Sequence, residues 1–477
     1  MINKIQILFM FILVTIFHCE KVDKNCKYTA SLGCKKEVGF LDKPINQAGI
    51  LALTSRSNSS VAAPTFTISG TVSGLLGSGL VLQNNNADDL TLNFGDSTFR
   101  FANRSSTYNV TVKTSPSILT CTVTSGSGTA TADVTNISIS CTQKVLSLAA
   151  TVSTFAGQAS TTGTTDGTGG TARFNGLVGI AYDGSASIYV GDSGNSCIRR
   201  VVISTATVTT FAGLCGTTGN TDGTGTAARF QGLQGVASDG TNLFIADQQN
   251  QTIRRIINST AVVSTLAGAV SATGTTDGTG TAARFNGPVD VTSDGTNIYI
   301  ADVLNHSIRR IVVSTGVVTT LAGLSGTSGT SDGTGTAARF NTPRALTTDG
   351  VNLYVVEQTN HTLRRVVIST GVVTTLAGTA GVSGTTEGTG TAARFNGPQG
   401  VLFDASNIYI SDTGNHSIRR YTLSTGAVTT FAGQSGTSGT TDGTGTAARF
   451  SSPTRITTDG TSLFISDSGN HTIRRIQ

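Results

Sequence analysis

The chain has 477 residues, with 58 glycines, seven cysteines and no tryptophan, and its 32 Lys and Arg against 27 Asp and Glu leave a formal charge of +5. From residue 151 onward the count is 19 acids, 20 arginines and no lysine, so the positive excess lies mostly ahead of that point. A surface that tracked phosphates would need net positive charge, so nucleic acid is excluded as a partner of the larger part of the chain.

The chain opens on MINKIQILFMFILVTIFHC, with one lysine, an apolar stretch from Ile5 to Phe17, and then Cys19. That stretch is short for a membrane span and suits a secretory leader. Its last five residues, TIFHC, resemble the relaxed lipoprotein signals of spirochaetes, with Phe17 and His18 in place of small residues. The resemblance implies a leader over residues 1–18 and a lipid on Cys19, which places the protein on a membrane surface rather than through it. Residues 19–64 read as a lipid-anchored tether, with six lysines against four acids between Glu20 and Pro64, a charge suited to lying near headgroups.

Residues 65–143 change character. Short alternating runs such as FTISGTVSGL, LTLNFG and TYNVTVKTSP predict a small β-sandwich, which resembles the Ig-like or carboxypeptidase-regulatory-like modules of bacterial surface proteins. Its expected role is that of a stalk.

Residues 144–477 are dominated by repetition. TDGTGTAARF stands at Thr221–Phe230, recurs at Thr276 and Thr441, and returns with small changes at Thr165, Ser331 and Thr386. Each copy closes on a phenylalanine (Phe174, Phe230, Phe285, Phe340, Phe395, Phe450), with a step of 56 once and 55 four times. Each unit holds four β-branched runs split by Gly, Asp and Asn, as in ARFNGPVDVTSDG, NIYIAD, VLNHSIRRIVVS and GVVTTLAG. Four strands per unit and no helical period predict an all-β fold, a six-bladed β-propeller. The last unit stops at HTIRRIQ, one strand short, while TVSTFAG at Thr151–Gly157 stands alone ahead of the first. Pairing the two closes the ring and removes both open edges. The stretch GPQGVLFDASNIYISDTGNHSIRR, Gly397–Arg420, resembles NHL repeats, and the resemblance implies a propeller whose relatives include lyases, nucleic-acid binders and interaction platforms.

The glycine-threonine loops are expected to be ordered excursions from the outer strand of one blade to the inner strand of the next. Asp166, Asp222, Asp277, Asp332, Glu387 and Asp442 each precede an arginine by seven residues (Arg173, Arg229, Arg284, Arg339, Arg394, Arg449), and each such pair reads as a loop clasp. One carboxylate per loop falls short of a calcium site. Asp192, Asp247, Asp302, Glu357, Asp412 and Asp467 are expected to brace the turn before each asparagine. His306, His361, His416 and His471 occupy equivalent positions, replaced by Ser196 and Gln251 in the first two units, too far apart around a ring to share one ion.

Cysteine spacing gives three candidate disulfides: Cys197–Cys215 across a hairpin, Cys121–Cys141 between adjacent β-rich stretches, and Cys26–Cys34 closing a small loop. That leaves Cys19 for the lipid. No HExxH or GxSxG pattern is present, no catalytic or metal-binding residue is assigned, and no cofactor is implied. The first strands depart from the repeat at Asp290, Arg344, Gln399 and Arg455, which are the candidate binding residues. The reading is an exported, lipid-anchored NHL-propeller scaffold, monomeric, binding a protein or glycan partner on a propeller face. Its place is the bacterial cell envelope, in the outer membrane, facing either the surface or the periplasm. The alternative is a metal-dependent enzyme, lyase-like or lactonase-like, with a site in the central channel, and a ligand-free envelope spacer is the third possibility.

Overall fold

Alternation of β-branched and polar residues between Gly/Asp turns produces strands throughout the computed structural model, which describes residues 65–477 apart from Ser78. Among these residues every regular element is a strand or a single turn of 3₁₀ helix. The leader, the tether, Cys19 and the Cys26–Cys34 pair lie outside them.

Residues 66–143 form two four-stranded sheets around one apolar core that includes Ile68, Leu80, Leu82, Phe99 and Ile139. One sheet runs Thr98–Arg100, Ile68–Ser73, Val134–Gln143, Leu119–Thr124. The other runs Asp88–Leu92, Leu80–Asn84, Thr107–Thr114, Ser127–Thr129. Cys121 and Cys141 stand opposite each other in the first sheet and are disulfide-bonded.

Residues 151–477 form six five-stranded antiparallel sheets, the blades of a β-propeller. In the first blade the inner strand is Leu177–Tyr182, followed outward by Ser187–Asp192, Cys197–Val202 and Thr207–Ala212. The fifth strand is a finding beyond the four expected per unit. Gly167–Thr168, in the middle of the glycine-threonine loop, pairs with Thr207–Val208 on the outer strand, and every other loop repeats this. The loop thus answers backbone groups that the blade's outer edge would otherwise leave unpaired.

The second strands are buried on both faces, Ser187–Asp192 completely, because neighbouring blades pack face to face. One apolar cluster joins Tyr189 and Ile198 of the first blade to Phe230, Leu233 and Leu243 of the second. The six loop phenylalanines have no exposed surface, and burying a side chain of that size stabilises a fold by roughly 1.5–3 kcal/mol.

The ring closes as expected. Thr151–Ala156 pairs antiparallel with Thr472–Ile476, with Ala156 opposite Ile473 and Val152 opposite Ile476. Thr151 and Gln477 exchange two further backbone hydrogen bonds of 3.0 Å. The cluster that joins Phe464 and Ile473 to Phe174 and Ile188 then seals the last blade against the first.

The sandwich and the ring belong to one compact unit. Their contacts fall on the turns between inner and second strands: Phe94 and Gly95 lie against Gly295, Leu76 against Gly350, and Ser117 against Gly460. The Ser117 hydroxyl also donates to the Tyr182 hydroxyl at 3.1 Å. Among the described residues, each inner strand therefore starts at the face of the ring that the sandwich leaves open and ends at the face it covers.

A chain beginning at Lys144 keeps the closing strand, whereas one beginning at Gly157 loses it and exposes Thr472–Ile476 as an edge. Size-exclusion chromatography and circular dichroism are expected to find the first monomeric and folded and the second aggregated.

Candidate functional site

The chain's charge is concentrated at six equivalent nodes. In the third blade Arg309, on the third strand, is fully buried. Its Nη1 donates to the Asp302 carboxylate (3.0 Å) and the Arg284 carbonyl (2.9 Å), and its Nη2 to the Asp277 carboxylate (2.7 Å) and the Thr276 carbonyl (3.1 Å). The guanidinium carbon stands 5.3 Å from the centre of the Phe285 ring, within cation–π range, while Nε has no hydrogen-bond partner. Asp302 also accepts from the Asn305 side chain (2.7 Å) and the Asn286 backbone (2.8 Å). Burial pushes its carboxyl up to about 6, against the opposing pull of Arg309 and these donors. The acid at the end of the second strand braces the turn before the asparagine, as the sequence suggests.

The loop clasp has different partners from those expected. Asp277 pairs with Arg309 rather than with Arg284, and also accepts from the backbone and hydroxyl of Thr320. Arg284 instead donates to the carbonyls of Thr281 and Ala283 at 2.6 and 2.8 Å. The reason is burial: a guanidinium inside the blade needs a counter-charge, while a loop arginine at the surface is served by carbonyls of its own turn. The same node recurs with Arg199, Arg254, Arg364 and Arg474. In the fourth blade Glu357 fills the place of the second-strand Asp. In the fifth, Arg419 pairs with Asp412, while Glu387 accepts from the Thr430 backbone instead.

The histidines sit in the turn after the second strand, in left-handed backbone (φ between 52° and 59°). Each reaches the next blade. Nδ1 of His306, His361, His416 and His471 accepts from the backbone N–H of Thr342, Gly397, Ser452 and Gly176 respectively, at 2.9–3.2 Å. The Gln251 side-chain oxygen does the same to Gly287 at 2.7 Å. The histidines are thus structural, and desolvation holds their imidazoles below the usual value.

Cys197 and Cys215 form the second disulfide. Equivalent positions carry hydroxyl pairs, Ser307 with Ser325 (3.3 Å) and Ser417 with Ser435 (3.2 Å), so the bond replaces a weaker link of the same geometry.

The four residues singled out on the inner strands converge in the channel. Arg455, from the sixth blade, crosses to the third, where Nε donates to Asp290 Oδ1 at 2.9 Å and Nη2 to the Val289 carbonyl at 2.9 Å. It also donates to the carbonyls of Arg344 and Gln399. Asp290 Oδ2 accepts from the Leu346 backbone at 2.9 Å, and burial raises its carboxyl above the ordinary value. Both are nearly inaccessible, at 5% and 4% exposed, so the pair bars the channel. Between this bar and the sandwich lies a cavity of about 160 Å³, lined among others by Leu76, Phe94, Tyr182, Ser238 and Thr457. Arg344 bonds the side-chain oxygens of Gln399 (3.2 Å) and Gln234 (3.4 Å). The sequence reading passes over Gln234, although its signal is there: it holds the same repeat position as Arg344 and Gln399.

A hard cation takes several oxygen ligands, and the channel offers one carboxylate, already paired. Among the described residues no group of three or more His, Cys, Asp or Glu is placed to hold a metal ion.

No protein-family model matches the chain. It is 29% identical over 281 residues to Protein SUPPRESSOR OF QUENCHING 1, chloroplastic, of Arabidopsis thaliana, covering 55% of this chain and 26% of that one. It is 32% identical over 144 residues to human NHL repeat-containing protein 2, covering 28% of this chain and 20% of that one. The chain thus spans 20–26% of the length of these relatives. Among solved structures, an auxiliary nutrient binding protein from Bacteroides thetaiotaomicron superposes with a TM-score of 0.53 at 16% identity, over 86% of this chain and 97% of its own. Its counterpart from Bacteroides ovatus gives 0.51 at 16%, over 87% and 98%. The likenesses support an NHL-type β-propeller. At such coverage the likeness extends beyond the ring.

Two outcomes check these roles. Arg455→Met leaves Asp290 buried without its partner and is expected to cost about 3–5 kcal/mol in urea unfolding, part of which the double variant with Asp290→Ala recovers. Because the folded imidazoles titrate below the unfolded value of 6.5, their contribution is complete above that pH and is lost as pH falls through the lowered folded values. Replacing all four histidines by glutamine, as Gln251 already does, is expected to flatten stability between pH 7.5 and 5 relative to the parent; the buried carboxyls near 6 are common to both proteins and cancel.

Proposed function

We propose that the protein is an exported, lipid-anchored propeller that binds a protein or glycan partner at the cell envelope, through the ring face opposite the sandwich. The observation that carries this reading is the asymmetry of the two faces. One is covered by the sandwich and the other is left open by it, while six near-identical loops around the ring carry exposed threonines, among them Thr226, Thr281, Thr336, Thr391 and Thr446. Repeated weak contacts around a ring raise avidity without one strong site. The fold likeness to auxiliary nutrient binding proteins supports a ligand-binding role, and the two disulfides suit an oxidising compartment. The leader and Cys19 support anchoring by lipid, with the sandwich holding the ring away from the membrane.

In a bacterial host fed radiolabelled palmitate, the full chain is expected to take up label and sediment with membranes, and Cys19→Ser to do neither. On a glycan array and on immobilised envelope proteins, replacing the five exposed threonines by glutamate is expected to weaken capture at least tenfold. Equal capture by the parent and the substituted protein overturns the loop-face reading.

A further inference from the structure

The channel carries a charge that its own residues do not neutralise. Two guanidinium groups, Arg344 and Arg455, share a single carboxylate, Asp290, and that carboxylate is engaged by Arg455. Arg344 forms no ion pair among the described residues; its hydrogen bonds go to the neutral side-chain oxygens of Gln399 and Gln234. Desolvation, with Arg455 close by, lowers its pKa to about 10, so it remains charged at neutral pH.

Its position sets where that charge points. Arg344, Gln234 and Gln399 stand one repeat position earlier on their strands than Asp290 and Arg455, toward the open face. They are absent from the cavity that the bar closes off beneath the sandwich, and all three keep partial solvent exposure.

The chemistry of the free groups is one-sided. Arginine only donates, so the two glutamines must turn their oxygens toward it, which leaves both amide N–H₂ groups without a protein partner among the described residues. Together with the remaining guanidinium N–H groups, the side-chain groups of this trio that have no partner are donors, beside one spare lone pair on each glutamine oxygen. The equivalent positions in the other three blades are Val178, Val289 and Thr454, so the donors are gathered from the second, fourth and fifth blades.

We propose that Arg344, Gln234 and Gln399 form a binding site for a small oxyanion, a carboxylate or a phosphate group, at the open mouth of the channel. The planar fork of arginine matches either group in a two-point bond. Asp290 and Arg455 act as the floor that holds the trio in place. The inference goes beyond the loop-face reading: the loop threonines are not part of this site, so either can fail without the other.

The test uses the full chain at constant ionic strength and constant chloride, titrated with inorganic phosphate, acetate and glucuronate, with glucose as the neutral control. At least one oxyanion is expected to raise the unfolding midpoint saturably, as a ligand of the native state does, and glucose to leave it unchanged. The arm that responds tells phosphate from carboxylate. Calorimetry is expected to show binding at least tenfold weaker for Arg344→Gln and intermediate for Arg344→Lys, which keeps the charge but not the fork. Without ligand, Arg344→Gln is expected to be as stable as the parent or more so, since it removes a partly desolvated charge that lacks a counter-charge. The proposal is overturned by no saturable shift with any of the three anions, by unchanged affinity in Arg344→Gln, or by a drop in that variant's unliganded midpoint, which would make the arginine a brace of the ring.

Discussion

A guanidinium group taken out of water has to be met by charge and by oxygen, and the ring is organised around six such groups. Each lies inside its blade and draws to itself the end of the second strand, the loop arriving from the preceding blade, and the ring of the loop phenylalanine. This explains why the ten-residue turn recurs so faithfully: its carbonyls, its aromatic side chain and, in five of the six copies, its acid are fitted to the same buried cation. A buried pair of this kind is weak evidence for net stability, but it sets register, since sliding the loop by one residue removes both the acid and the carbonyl from reach. The arginines without lysines in this part of the chain follow from the same need for a planar, permanently charged fork.

Much of this was legible in sequence because repetition multiplies the signal. The period gave the blades, and the orphan strand at Thr151 gave the closure, since only one arrangement leaves neither end open. Nearness along the chain, seven residues, points each loop acid to the wrong arginine, because the partner lies across a strand, as Arg309 does from Asp277. The fifth strand is two residues long and has no periodicity to detect. The histidine contacts were partly legible: the turn was recognised, but a side chain bonding a backbone N–H in the next blade leaves no local pattern.

In the channel, legibility came from departure rather than repetition. Asp290 and Arg455 stand out because their counterparts are glycine or alanine, Arg344 and Gln399 because three of theirs are valine or threonine, and the four do meet. Their division of labour was not readable, because it depends on which side chain crosses the ring. Arg455 lies opposite Asp290 in a six-membered ring, while Arg344 is held by neutral amides alone. Uniform repeats build the frame, and the few positions that break uniformity gather at its axis.

The strand that completes the last blade precedes the whole array, and its partner lies at the far end. During synthesis Thr151–Ala156 leaves the ribosome first and must wait, as an unpaired ribbon, until all the intervening blades have been made. Closure of the ring therefore waits for the last blade, and a nascent chain stalled within the array holds a sticky edge with nothing to match it. Throughout the interval between those two moments that edge is free to pair with another chain.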